Sequence, residues 1–163
     1  MDWGFAILLF LHIFGAVLGF GPTYAFLILG PMTAAEPAHG NFALRFQKRV
    51  SHGLVAPLAV LQGVTGVLLV AYIGFELFQR GWLIVSIILY AITLTIGFGV
   101  LIPSVRKLVE ATSGPPPTAI PGAAPPAGPP PHIAAIIRRA RLGGMTNALL
   151  VMVIIFLMVA KPF

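Results

Sequence analysis

Cysteine is absent from this 163-residue chain, and charged residues make up only 9% of it. Without a thiolate, disulfides, iron–sulfur clusters, thiolate metal sites and thioether-attached haem are excluded. The few acidic residues all lie at the boundaries of the apolar segments or between them: Asp2, Glu36, Glu76 and Glu110. We therefore predict no intramembrane carboxylate for a proton relay or paired acid–base chemistry, which disfavours a proton-coupled transporter.

Apolar residues, in contrast, make up 58% of the chain, and the mean hydropathy is +0.99. A helix that crosses a bilayer needs ~20 mostly apolar residues. Four segments meet this length, at about 5–29, 53–75, 82–102 and 143–160. Helices satisfy their own backbone polar groups in lipid, so we predict an all-α fold, an integral membrane four-helix bundle forming one domain over 1–163. The first segment lacks the basic start of a signal peptide and is expected to be a retained helix.

The stretch SGPPPTAIPGAAPPAGPPP, residues 113–131, separates the third and fourth predicted spans. Its proline content restricts it to extended conformations, and it has few large apolar groups with which to pack. We predict a Pro-rich flexible linker in a cytoplasmic loop.

Basic residues cluster on one side of the predicted spans. Eight of the ten Lys and Arg residues fall in the first and third loops or just before the fourth span, and only Arg80 and Lys161 fall on the other side. The positive-inside rule then predicts both termini outside the cytoplasm, in a bacterial plasma (inner) membrane. The net charge of +6 predicts contact with anionic lipids on the cytoplasmic face rather than with nucleic acid.

Two amphipathic runs lie next to this basic side. NFALRFQKRV suits a short interfacial helix before the second span, and HIAAIIRRARLGG suits a membrane-lying helix before the fourth. The sequence leaves open whether the latter breaks at Gly143 and Gly144.

His12 is the one clearly ionisable side chain inside a predicted span. Intramembrane ionisable residues are costly and are candidates for functional sites. On a helix, Gly15 and Gly19 share its face and make that face smooth. A smooth face suits a haem b ligated by His12, and it equally suits close packing of two helices. In the second interpretation His12 is a neutral imidazole bonded to a neighbouring helix, for instance to Tyr90.

A second ligand for His12 is harder to find. The other three histidines fall on the cytoplasmic side, which disfavours a bis-histidine haem. Met152 and Met158 are expected near the depth of His12, where a thioether could be an axial haem ligand or a ligand for copper, the alternative metal. Most methionines in such helices only fill gaps. The remaining intramembrane polar residues are expected to form hydrogen bonds between helices or within one helix, among them Gln62, Thr65, Ser86, Tyr90, Thr93 and Asn147.

The segment LHIFGAVLGFGPTYAFLILGPM resembles the first helix of a group of four-helix bacterial membrane proteins. The group comprises copper-resistance protein D-like proteins, an uncharacterised integral membrane family and HemJ-type protoporphyrinogen oxidases, and the uncharacterised family is the nearest. RVSHGLVAPLAVLQGVTGVLL, GWL and the terminal VAKPF are similar to the oxidase branch. That branch implies haem b binding at His12.

Two oxidase features are missing. A lysine expected after the Trp-Leu pair is Ser86 here, and an Asn-Glu-x-Pro element is reduced to Asn147. These differences weigh against oxidase activity. The sequence thus predicts an uncharacterised membrane protein with a b-type haem at His12 for electron transfer or redox sensing. The alternatives are a copper-handling protein and a structural or accessory subunit without cofactor, either of which could form a homodimer or join a larger membrane complex.

Overall fold

The computed structural model describes residues 2–74, 76, 79–114 and 128–162. Within these residues, four helices are long and apolar enough to cross a membrane. They are α1 (Trp3–Ala35), α2 (Pro37–Ile73), α3 (Gly81–Thr112) and α4 (Pro131–Ala160). The predicted fold class, an all-α four-helix membrane protein, is confirmed.

The helices are longer than the predicted spans. They contain 33, 37, 32 and 30 residues, so each is about 45–55 Å long and exceeds the ~30 Å hydrocarbon core of a bilayer. The second predicted span reached residue 75, whereas α2 ends at Ile73. Much of the extra length lies at the end opposite the chain termini. We call this the basic end, formed by Gly40–Val50, Ile102–Thr112 and residues 131–142.

The run predicted as an interfacial helix is continuous with the second span. Gly40–Val50 passes into Ala56–Ile73 through one π-helical turn, Ser51–Val55. A similar turn, Gly97–Leu101, lies in α3. Each turn comes just before a proline, Pro57 or Pro103. Proline cannot donate a backbone hydrogen bond to the preceding turn, and a locally widened turn accommodates that loss without ending the helix.

The run before the fourth span is also continuous with it, because α4 passes through Gly143 and Gly144 without a break. Gly143 lies against α3: a side-chain carbon at this position would be 3.2 Å from Leu101 and 3.3 Å from Val100. Close contact between the two helices explains this glycine better than a break does. Of the predicted Pro-rich linker, residues 115–127 lie outside the described residues.

Packing is most extensive between α1 and α2, and next between α3 and α4, while α1 also contacts α4. Two apolar clusters are buried among the described residues. One, near the chain termini, contains Val70, Trp82, Leu83 and Leu157. The other lies deeper in the bundle and contains Phe20, Ala59 and Val151.

The outer surface of the helices carries many exposed large apolar side chains. Val159 is 80% exposed, and Val67 is 70% exposed. Soluble proteins rarely leave extended apolar surfaces in water. Such a surface is what the acyl chains of a bilayer cover.

Asp2 connects the start of α1 to the end of α2. One carboxylate oxygen accepts hydrogen bonds from the backbone N–H groups of Gly4, at 3.0 Å, and Phe5, at 3.3 Å. The Tyr72 hydroxyl donates to the other oxygen. The hydrogen bond from Tyr72, followed by that from the Phe5 N–H, lowers the pKa of the Asp2 carboxyl.

We predict that this contact gives the protein an acid-sensitive stability. A carboxyl whose pKa is lower in the folded state contributes stability above its unfolded pKa of about 3.9, and the contribution is lost as the pH falls through the folded pKa. Asp2→Asn should therefore melt below the wild type at neutral pH, and the two should converge in acid. Glu76→Gln, which removes an exposed carboxylate from the same end of the bundle, is the control. Equal melting of Asp2→Asn and the wild type at neutral pH would contradict the prediction.

Candidate functional site

His12 is half-buried on α1, facing α2. Its Nδ1 atom is 2.9 Å from the Thr65 hydroxyl oxygen, and its Nε2 atom is 3.0 Å from the side-chain nitrogen of Gln62. Thr65 and Gln62 are three residues apart, so they share one face of α2. Both ring nitrogens of His12 thus have partners on the same neighbouring helix.

These contacts favour one position for the imidazole proton. The Thr65 hydroxyl donates to a carbonyl of its own helix, that of Leu61, at 2.8 Å. Its oxygen is then the acceptor for the Nδ1–H group of His12. The Gln62 amide donates to Nε2, which must be unprotonated to accept. With the Gln62 nitrogen directed at Nε2, these bond directions favour a neutral imidazole that carries its proton on Nδ1 and a lone pair on Nε2.

The predicted smooth face of α1 is in contact with α2. A side-chain carbon added at Gly15 would be 3.1 Å from the Gln62 amide oxygen. At Gly19 it would be 3.2 Å from the Leu58 side chain and 3.4 Å from the Ala59 backbone nitrogen. On the α2 side, Gly66 similarly makes room for the His12 ring, at 3.3 Å. The glycines allow the two helices to approach closely, in agreement with the packing interpretation of these residues.

Tyr90, suggested from the sequence as a partner for His12, bonds elsewhere. Its hydroxyl donates to the backbone carbonyl of Ala59 at 2.5 Å. Its ring meets Phe20 edge-on, with the ring centroids 6.4 Å apart. Tyr90 thus connects α3 to α2 and α1, while the actual partners of His12 are Thr65 and Gln62. The sequence indicated both as polar residues of the second span but gave no sign that they meet His12.

The structure does not bring Met152 to His12. Met152 is 55% exposed on the outer surface of α4. Its neighbour Val151 packs with Phe20, which lies eight residues, or about 12 Å, further along α1 than His12. Met158 packs against the apolar cluster near the chain termini.

Asn147 and Ser86 are both buried. Ser86, which stands where the oxidase resemblance expects a lysine, is 1% exposed and donates to the Trp82 carbonyl of its own helix at 2.7 Å. Asn147 is 5% exposed, and its side-chain oxygen has no hydrogen-bond partner in the part of the chain that the structure describes. Among the described residues, no group of three or more histidine and acidic side chains could hold a metal ion.

We predict that Gly19 and Gly21 respond differently to the same substitution. Gly19→Ala would place a methyl group against Leu58 and the α2 backbone and should lower the free energy of unfolding by about 1–3 kcal/mol. At Gly21, two residues away on α1, no atom of another helix among the described residues lies within 4 Å of an added side-chain carbon. Gly21→Ala should lower stability less than Gly19→Ala does, because its methyl group meets no other helix and only crowds the ring of the following Pro22. Denaturant titration in detergent micelles measures both, and equal effects would contradict close packing at Gly19.

Comparison with known proteins found one match, to a protein family. The model of a family described as "Predicted integral membrane protein (DUF2269)" matches residues 6–162, which includes all four helices almost completely. No curated protein and no solved structure matches the chain. The relationships to copper-resistance protein D and to HemJ-type oxidases stay resemblances seen in the sequence alone. With a match over nearly its whole length, the chain belongs to the DUF2269 family of predicted integral membrane proteins.

Proposed function

We propose that this protein is a structural or accessory membrane subunit without a cofactor. In this role His12 joins α1 to α2 by hydrogen bonds. The observation that carries the proposal is that Thr65 and Gln62 occupy both ring nitrogens of His12. A polar side chain in lipid gains most from partners on a neighbouring helix, since no water is present to replace them. This is the role that the geometry of His12 supports.

The residues around His12 do not fit haem b in this arrangement. An iron ligated by Nε2 would need the position that the Gln62 amide occupies, 3.0 Å from that atom. The macrocycle would need the space beside Gly15 and Gly19, which α2 already fills. Haem binding would therefore require α1 and α2 to separate.

Copper has less support, because Met152 is exposed and lies closer to the basic end of the bundle than His12 does. His12 would then be a single ligand. Copper sites in proteins combine several imidazole or sulfur ligands.

Haem b is nevertheless the second candidate, because one feature of His12 suits a metal. Histidines that bind metals usually donate their other ring N–H to a fixed acceptor, which leaves a lone pair towards the metal. The Nδ1–H bond to Thr65 gives His12 this tautomer. The Nε2 lone pair would become free for a ligand if α1 and α2 separated and the Gln62 amide moved away.

The proposed setting is a bacterial plasma membrane with both termini outside the cytoplasm. Support comes from the basic end, where Arg45, Arg49, Arg106 and Arg138 are all exposed. Anionic headgroups of the cytoplasmic leaflet attract such side chains. A second copy of the chain or a larger membrane complex would contact the exposed apolar surface of the helices.

An absorption spectrum of the detergent-purified protein, made with ample haem supply, tests the proposed function. We expect no Soret band in the oxidised protein and no sharp α-band after reduction with dithionite. His12→Ala should show the same featureless spectrum but a lower free energy of unfolding, by about 1–3 kcal/mol, because Gln62 and Thr65 lose their partner.

The matched control is His52→Ala, since His52 is exposed at the basic end and bonds only its own helix. A Soret band that is present in the wild type and in His52→Ala, but lost in His12→Ala, would overturn the cofactor-free proposal in favour of haem.

A further inference from the structure

Three buried side-chain oxygens lack a hydrogen-bond partner among the described residues. They are the amide oxygens of Gln62 and Asn147 and the hydroxyl oxygen of Thr93. Thr93 is 2% exposed and Asn147 is 5% exposed. Native proteins rarely leave such atoms without a partner, and ordered water commonly provides one. The three atoms come from α2, α3 and α4, one from each helix.

The contacts between α3 and α4 place Thr93 and Asn147 at the same level of the bundle. Gly143 lies against Ile96, Val100 and Leu101, and Leu157 packs with Leu83. The helices are antiparallel, so each step forward along α4 matches a step back along α3. Asn147 is four residues after Gly143, and it therefore lies level with the turn of α3 that contains Thr93.

Thr93 comes three residues before Ile96, which Gly143 approaches, so Thr93 is on the face of α3 that meets α4. Gln62 lies at a different level. Its amide oxygen approaches Gly15 of α1, whereas Val151 packs with Phe20, five residues or ~7.5 Å further along α1, and Asn147 comes one turn before Val151. We refer to Thr93 and Asn147 together as the polar layer.

The chemistry of the polar layer favours water over a cation. Amide oxygens only accept hydrogen bonds, so the missing partner must offer a proton or a positive charge. The chain has four acidic residues, at positions 2, 36, 76 and 110, and none lies within one turn of the layer. A cation there would have no opposite charge in a low-dielectric medium, which makes it costly. Water carries no such cost and can also accept the Thr93 proton.

We propose that ordered water molecules occupy the polar layer between α3 and α4. Water there would donate to the Asn147 amide oxygen and form a hydrogen bond with the Thr93 hydroxyl, so that both buried atoms gain a partner. This inference does not depend on whether His12 binds haem.

Solid-state NMR of the full chain in lipid bilayers tests this proposal by transferring magnetisation from water to side-chain amides. With three glutamines and two asparagines in the chain, the amide signals can be assigned by substitution. We expect transfer to Asn147 that far exceeds transfer to the buried methyl groups of Val151. Thr93→Val, which keeps the side-chain shape, should reduce transfer to Asn147 by at least about twofold, because the water loses one of about three partners.

Two variants serve as controls. Thr93→Ser retains the hydroxyl and should preserve the transfer, and it also covers the case in which Thr93→Val folds poorly. Thr95→Val removes an exposed hydroxyl that bonds only its own helix and should have no effect.

Three results would overturn the proposal. The first is transfer to Asn147 no greater than to Val151, and the second is equal transfer in Thr93→Val and the wild type. The third is a saturable shift of the Asn147 signals when sodium replaces a bulky organic cation in the buffer, which would identify a cation site instead.

Discussion

The bonds from His12 to α2 are the interaction on which the arrangement of this protein depends. In lipid, a polar side chain without a partner cannot turn to water, so its partner must come from the protein. Thr65 and Gln62 provide that partner at two points of one imidazole, at 2.9 and 3.0 Å. Two bonds to one ring restrict both the rotation and the sliding of α1 against α2. The rest of the α1–α2 contact follows from this register.

Glycine makes those bonds reachable. Gly15 and Gly19 on α1, and Gly66 on α2, remove side chains where they would hold the helices apart. Apolar surface alone would not select this contact, because lipid tails cover apolar helices equally well. Polar bonds therefore specify which helices meet, and small residues allow the approach. Tyr90 follows the same principle, since its bond to the Ala59 carbonyl passes beside Gly63.

The fold could be predicted from the sequence because four long apolar segments in a chain of this composition have few other solutions. The pairing of side chains could not. Each span is apolar around most of its circumference, so no periodic pattern shows which face of α1 meets α2. Tyr90 was a reasonable partner for His12 by depth alone, yet Thr65 and Gln62 lie on the helix that actually packs against it. Depth likewise suggested Met152, but its exposed position on α4 cannot be read from its place in the chain.

The tautomer of His12 tests the central claim most directly. In protein labelled with ¹⁵N in its histidine rings, His12→Ala identifies the signals of His12 among the four histidines. We expect a protonated Nδ1 and an unprotonated Nε2 at neutral pH, with the Nδ1 signal moved by Thr65→Val and unaffected by Thr95→Val. A proton on Nε2, or a His12 signal that does not respond to Thr65→Val, would contradict the account.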